Sequence, residues 1–114
     1  VFVSIAGRGP IIHFAAGNPA LLPLAAEAGG TVMGIDWRIE LDYAWQQVGY
    51  DRGVQGNLDP AVLHTTHDVV RRRTEDILAR VAGRPGHIMN LGHGILPETP
   101  VENVLEFIAT VKQK

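Results

Sequence analysis

Four times in 114 residues, a short β-prone apolar run gives way to a glycine-bearing turn and then to a segment with helical spacing. Pro10-Ile11-Ile12-His13-Phe14 leads into Ala15-Ala16-Gly17, where Asn18-Pro19 offers an N-cap and a first-turn proline for a helix from about Ala20 to Glu27. Ala28-Gly29-Gly30 stops that helix, because glycine accepts the left-handed C-cap conformation. Thr31-Val32-Met33-Gly34-Ile35 is the second strand; Asp36-Trp37-Arg38 follows, then a helix over Leu41 to Val48 closed by Gly49. Gly53-Val54-Gln55-Gly56 enters the turn Asn57-Leu58-Asp59-Pro60 and one turn of helix. Thr66 then caps the longest helix, His67 to Ala82, whose Val70, Ile77, Leu78 and Val81 share one face. The fourth strand is His87-Ile88-Met89-Asn90-Leu91. Thr99 and Glu102 have capping-box spacing for a last helix with Val101, Val104, Leu105, Ile108 and Val111 on its inner face.

Apolar strands alternating with helices imply a parallel sheet covered by those helices. Four such units do not close on themselves, since a (β/α)8 barrel needs roughly 250 residues. The sequence therefore predicts an α/β fold that is either a small open domain or half of a barrel. The chain starts at Val1, inside an apolar run with no cap or strand start, and this favours half of a barrel, cut from something longer.

Composition excludes several functions. Net charge is −2, and the one basic cluster, Arg71-Arg72-Arg73, lies in a helical pattern followed by Glu75 and Asp76, which is a solvated helix face and not a nucleic-acid surface. No cysteine is present, so disulfides and thiolate metal sites are ruled out. No apolar run approaches the roughly 20 residues that span a bilayer, and Val1-Phe2-Val3-Ser4-Ile5 is too short and lacks a basic leader for a signal peptide. The expected compartment is the cytoplasm.

In an open sheet or a barrel alike, chemistry gathers where strands end and helices begin. Four such turns, rich in Gly, Asn and Asp, would share one mouth: 14–17, 34–37, 55–59 and 90–94. The most telling is Asn90-Leu91-Gly92-His93-Gly94, because an imidazole between two glycines has no neighbouring side chains to shield it from a ligand. His93 is thus the leading binding or catalytic candidate. Asp59 precedes Pro60 and reads as a cap. Asp36 is open to a ligand role, or to bonding backbone amides or an arginine. Trp37 reads as packing at the mouth, His13 as a hydrogen-bonded strand histidine, and His87 as structural at the opposite end of its strand. His64 and His67 have a spacing that can suit a metal but lack a third ligand. No phosphate loop, dinucleotide fingerprint or Gly-x-Ser-x-Gly elbow is present, and the single serine is Ser4.

Gly34-Ile35-Asp36-Trp37, Gln55-Gly56-Asn57-Leu58-Asp59-Pro60 and Asn90-Leu91-Gly92-His93-Gly94-Ile95 occur in an order and at intervals that resemble the C-terminal part of uroporphyrinogen decarboxylases. The resemblance runs from about Pro10 to Val111, and three motifs in register are far more specific than any one alone. It implies one partial domain over residues 1–114: about four βα units, the C-terminal half of a (β/α)8 TIM barrel roughly three times this length.

The same resemblance implies a cytoplasmic, homodimeric carboxy-lyase of porphyrin and haem biosynthesis, with no cofactor or metal. Such an enzyme removes the acetate carboxyl groups of uroporphyrinogen to give coproporphyrinogen. Of the family's active-site residues, the histidine of the Gly-His-Gly motif maps here, as His93, and its implied role is binding a substrate carboxylate. The catalytic aspartate lies upstream in the family, so no catalytic residue is assigned and this piece alone is expected to be inactive. Many family members carry a lysine after the phenylalanine of the first strand, where this chain has Phe14-Ala15-Ala16-Gly17. Two alternatives stand beside this reading: a zinc-dependent methyltransferase of the related barrel group, disfavoured by the lack of cysteine, and a small α/β anion-binding module.

Overall fold

Each β-prone run supplies a parallel strand in the computed structural model, which describes residues 9–14, 21–27 and 29–113. The strands are β1 (Ile12–Phe14), β2 (Val32–Gly34), β3 (Gly53–Gln55) and β4 (His87–Ile88), hydrogen-bonded in the order β1-β2-β3-β4. Between and after them lie α1 (Leu22–Glu27), α2 (Leu41–Val48), a 3-10 helix (Pro60–His64), α3 (His67–Val81) and α4 (Val101–Lys112). Each helix packs on the next, so the helices form one continuous layer.

Register explains the two faces of the sheet. His13, Met33, Val54 and His87 stand in one row, and Met33 and Val54 are fully buried against the helix layer. One residue on, Phe14, Gly34, Gln55 and Ile88 form the next row, whose side chains point the other way because strand side chains alternate. That face is bare: Ile12, Phe14 and Ile88 are 49%, 44% and 45% exposed. Sequential strand order, helices against one face and apolar side chains on the other make a segment of a barrel wall. A doubly wound sheet carries helices on both faces.

The helices bury most of what their spacing predicts, with Leu78 of α3 only half-buried and with one larger exception. Helix α2 turns Leu41, Ala44, Trp45 and Val48 inward, and α3 turns Val70, Thr74, Ile77 and Val81. Thr66 caps α3 by accepting from the Val69 N–H, and Asp59 caps the 3-10 helix by accepting from the Ala61 N–H at 2.9 Å. The exception is α4. Its N-cap is Pro100 with no side-chain cap, so the Thr99–Glu102 capping box does not form. Its orientation is set by buried Asn103, whose Nδ2 donates to the carbonyls of Leu63 and Thr65, each at 2.8 Å. Those carbonyls end the 3-10 helix and need donors once covered. Placing Asn103 there brings Val104 and Phe107 onto the core and leaves Val101, Leu105 and Ile108 exposed on the far side, not inside as the periodicity implied. The expected cap at Asn18-Pro19 and the turn at 15–17 lie outside the described residues.

Candidate functional site

Past their last residues the strands converge on a cavity of about 400 Å³. Its floor is the bare face of the sheet, Phe14, Gly34 and Gln55, and its wall is the segment following β4, with Asn90, Leu91, His93, Gly94 and Ile95. Gly34 makes the floor possible, because a Cβ there would stand 2.8 Å from the Phe14 ring. Phe14 in turn meets His93 edge to face, with ring centroids 6.3 Å apart and planes at 77°. His93 is exposed on the rim of this cavity, as the glycine-flanked motif suggested.

Backbone bonds hold the His93 segment in place. A parallel bridge joins Leu58 and Leu91, the Gly92 N–H donates to the Leu58 carbonyl at 2.7 Å, and the Trp37 N–H donates to the Gly92 carbonyl at 3.2 Å. At its far end Thr99 donates to the Leu96 carbonyl at 2.6 Å and so accepts from His64 Nε2, 3.1 Å away. His64 is therefore an anchor of this loop. Among the described residues no group of three His, Cys, Asp or Glu side chains converges on a metal position.

The other candidates take structural roles. Asp36 is buried and bonds Arg38 through both backbone and guanidinium, at 2.9 and 2.8 Å, one of the two uses the sequence left open. The Arg38 guanidinium lies 4.8 Å from the centroid of the Trp37 ring, which stays at the mouth. His13 Nδ1 donates to the Gly29 carbonyl at 3.1 Å. His87 Nε2 donates to the Gly56 carbonyl at 2.7 Å, and burial pushes its pKa below the ordinary imidazole value while that bond acts in the opposite direction.

Three polar side chains were passed over in the sequence. Asn57, buried, donates to the Asp36 carbonyl at 3.0 Å and to that of Ile39, tying the β2 turn to the β3 turn. Gln55 and Asn90 lie in motifs that drew attention for their glycines, yet both residues line the cavity. Period-2 alternation would have put Gln55 on the bare face; only knowledge that this face is open makes it a site residue.

Residues 2–114 match the sequence model of the uroporphyrinogen decarboxylase (URO-D) family. The chain belongs to that family. It is 54% identical over 104 residues to a uroporphyrinogen decarboxylase of Carboxydothermus hydrogenoformans, covering 91% of this chain and 30% of the relative. It is 56% identical over 102 residues to that of Sorangium cellulosum, covering 90% of this chain and 29% of the relative. The chain thus spans less than a third of the length of these relatives. Among solved structures, a methyltransferase from Methanosarcina mazei superposes with a TM-score of 0.77 over 90% of this chain and 30% of its own, at 21% identity. That likeness supports the barrel-segment fold and nothing about chemistry. In this family member, then, the four βα units share the fold of that solved structure.

Proposed function

We propose that this chain is the C-terminal half-barrel of a cytoplasmic, homodimeric uroporphyrinogen decarboxylase, with His93 binding a carboxylate of the substrate. The observation that carries the reading is the position of His93. It stands on the rim of a strand-end cavity in a chain that matches the family over residues 2–114.

The reaction converts each pyrrole acetate to a methyl group. Protonation of the pyrrole makes the ring an electron sink, the bond between methylene and carboxylate breaks, and carbon dioxide leaves. A proton added at the former methylene carbon and one lost from the ring restore the pyrrole. His93 can donate a hydrogen bond to a substrate carboxylate and, when protonated, pair with it. Phe14, edge-on to His93, offers an apolar surface to the macrocycle. The group that engages the pyrrole N–H groups comes from the rest of the barrel, so the 114-residue chain alone binds but does not turn over.

The test is a graft, in which the matched segment of the Carboxydothermus relative is replaced by this chain. Coproporphyrinogen formation from uroporphyrinogen by the graft, lost by at least about tenfold in His93→Ala, is the expected result. A folded graft without turnover, or turnover by the isolated chain, would overturn the reading.

A further inference from the structure

We infer that the carboxamides of Asn90 and Gln55 form, with His93, a hydrogen-bonding cradle without acidic side chains that selects a carboxylate-bearing substrate. The inference rests on the decarboxylase reading and names further specificity-determining contacts in the same site.

Two observations bear on it. First, among the described residues the cavity is lined by no Asp, Glu, Lys or Arg, and its polar lining residues are His93, Asn90 and Gln55. An anion placed there meets no like charge, and a cation finds no counter-charge. Second, the Leu91 N–H donates to Oδ1 of Asn90 at 2.8 Å. That bond orients the carboxamide through its oxygen and leaves the two NH2 donors for a ligand. Gln55 stands in the same register row as Phe14 and Gly34, on the bare face of the sheet. Gly34 beside it has no side chain to cover the Gln55 carboxamide. Neutral N–H donors bind a carboxylate at any pH above its own titration, with none of the desolvation cost of a buried cation.

Asn90→Asp separates this role from a structural one. The aspartate keeps an oxygen for the Leu91 N–H, and so keeps the turn, but puts a negative oxygen where the NH2 was. Gln55→Glu does the same on the floor. The probe is the fluorescent octacarboxylate uroporphyrin, titrated against the graft and each variant, with thermal unfolding recorded in parallel. The expected result is binding by the graft, weakened about tenfold or more in Asn90→Asp and in Gln55→Glu at pH about 7.5 with unchanged melting, and recovery toward the parent as pH approaches the carboxylate range. Asn90→Leu, which removes the donor without adding charge, is expected to weaken binding less than Asn90→Asp. Undiminished affinity in both charged variants would overturn the inference while leaving the decarboxylase reading intact. Absence of uroporphyrin binding by the unsubstituted graft would overturn both.

Discussion

Both carboxylate oxygens of Asp36 are taken by one residue: Oδ1 accepts from the Arg38 backbone N–H at 2.9 Å, and Oδ2 from its guanidinium at 2.8 Å. An acid at a strand end is a natural candidate for proton transfer, but this one is folded into its own turn and does not line the cavity. Asp36→Asn retains an acceptor for the backbone N–H, and turnover by the graft is expected to stay within a few-fold of the parent. Asp36→Ala leaves that N–H unpartnered and is expected to cost about 1–2 kcal/mol in urea unfolding. Loss of turnover in Asp36→Asn without loss of stability would return Asp36 to the list of acids.

Protonation of His87 opposes folding. Its pKa in the folded chain lies below the ordinary value of 6.5, burial being the main cause. Below about pH 6.5 the unfolded chain therefore binds the extra proton, so this contribution is complete above that pH and lost as pH falls toward the folded value. The urea midpoint is expected to drop between about pH 7 and pH 5. His87→Gln, a neutral donor able to reach the Gly56 carbonyl, is expected to show a shallower decline over the same range. Identical slopes for the two proteins would place the titration elsewhere.

Removing the Asn103 side chain strands two carbonyls at once. Asn103→Leu fits a helix and matches the apolar residues beside it, yet Leu63 and Thr65 then face an alkyl group. A loss of about 2–4 kcal/mol is expected in denaturant titration, taking the usual 1–3 kcal/mol for one unsatisfied buried polar group as a guide to each carbonyl, partly offset by the apolar gain. A neutral outcome would show that water reaches these carbonyls.

The isolated chain is expected to self-associate. Ile12, Phe14 and Ile88 lie exposed on the sheet, Val101, Leu105 and Ile108 lie exposed on α4, and among the described residues no strand pairs with the outer edge of β4. Apolar surface of this extent and an unpaired strand edge both favour pairing with another polypeptide. Sedimentation velocity should show species larger than 12.4 kDa, and grafting into the relative should abolish this association through those surfaces. A sharp monomer peak across micromolar concentrations would count against it.

Much of this architecture was legible in the residues themselves. Short β-branched and apolar runs alternating with helical spacing announced parallel strands, and Thr66 and Asp59 marked helix starts that the structure confirms. The turn of α4 was not legible. Periodicity weighs Val101, Leu105 and Ile108 by their apolar character alone, whereas the helix obeys two carbonyls some 40 residues upstream to which Asn103 donates. The rim position of His93 could be read from its flanking glycines and its place after a strand. The functions of Gln55, Asn90 and Asn57 could not, because a carboxamide in a turn motif reads as a turn former until the space around it is known.

Gly92 has a consequence for how the mouth moves. A Cβ at this position would stand 2.4 Å from the Trp37 nitrogen, so the two main chains touch, with the β3 turn joined to both through Leu58 and Asn57. The loops that follow three strands are thereby cross-tied into a single stiff arc. The main chain beside His93 is thus held at Gly92 by the turns after β2 and β3, and a shift of Gly92 would have to carry Trp37 with it.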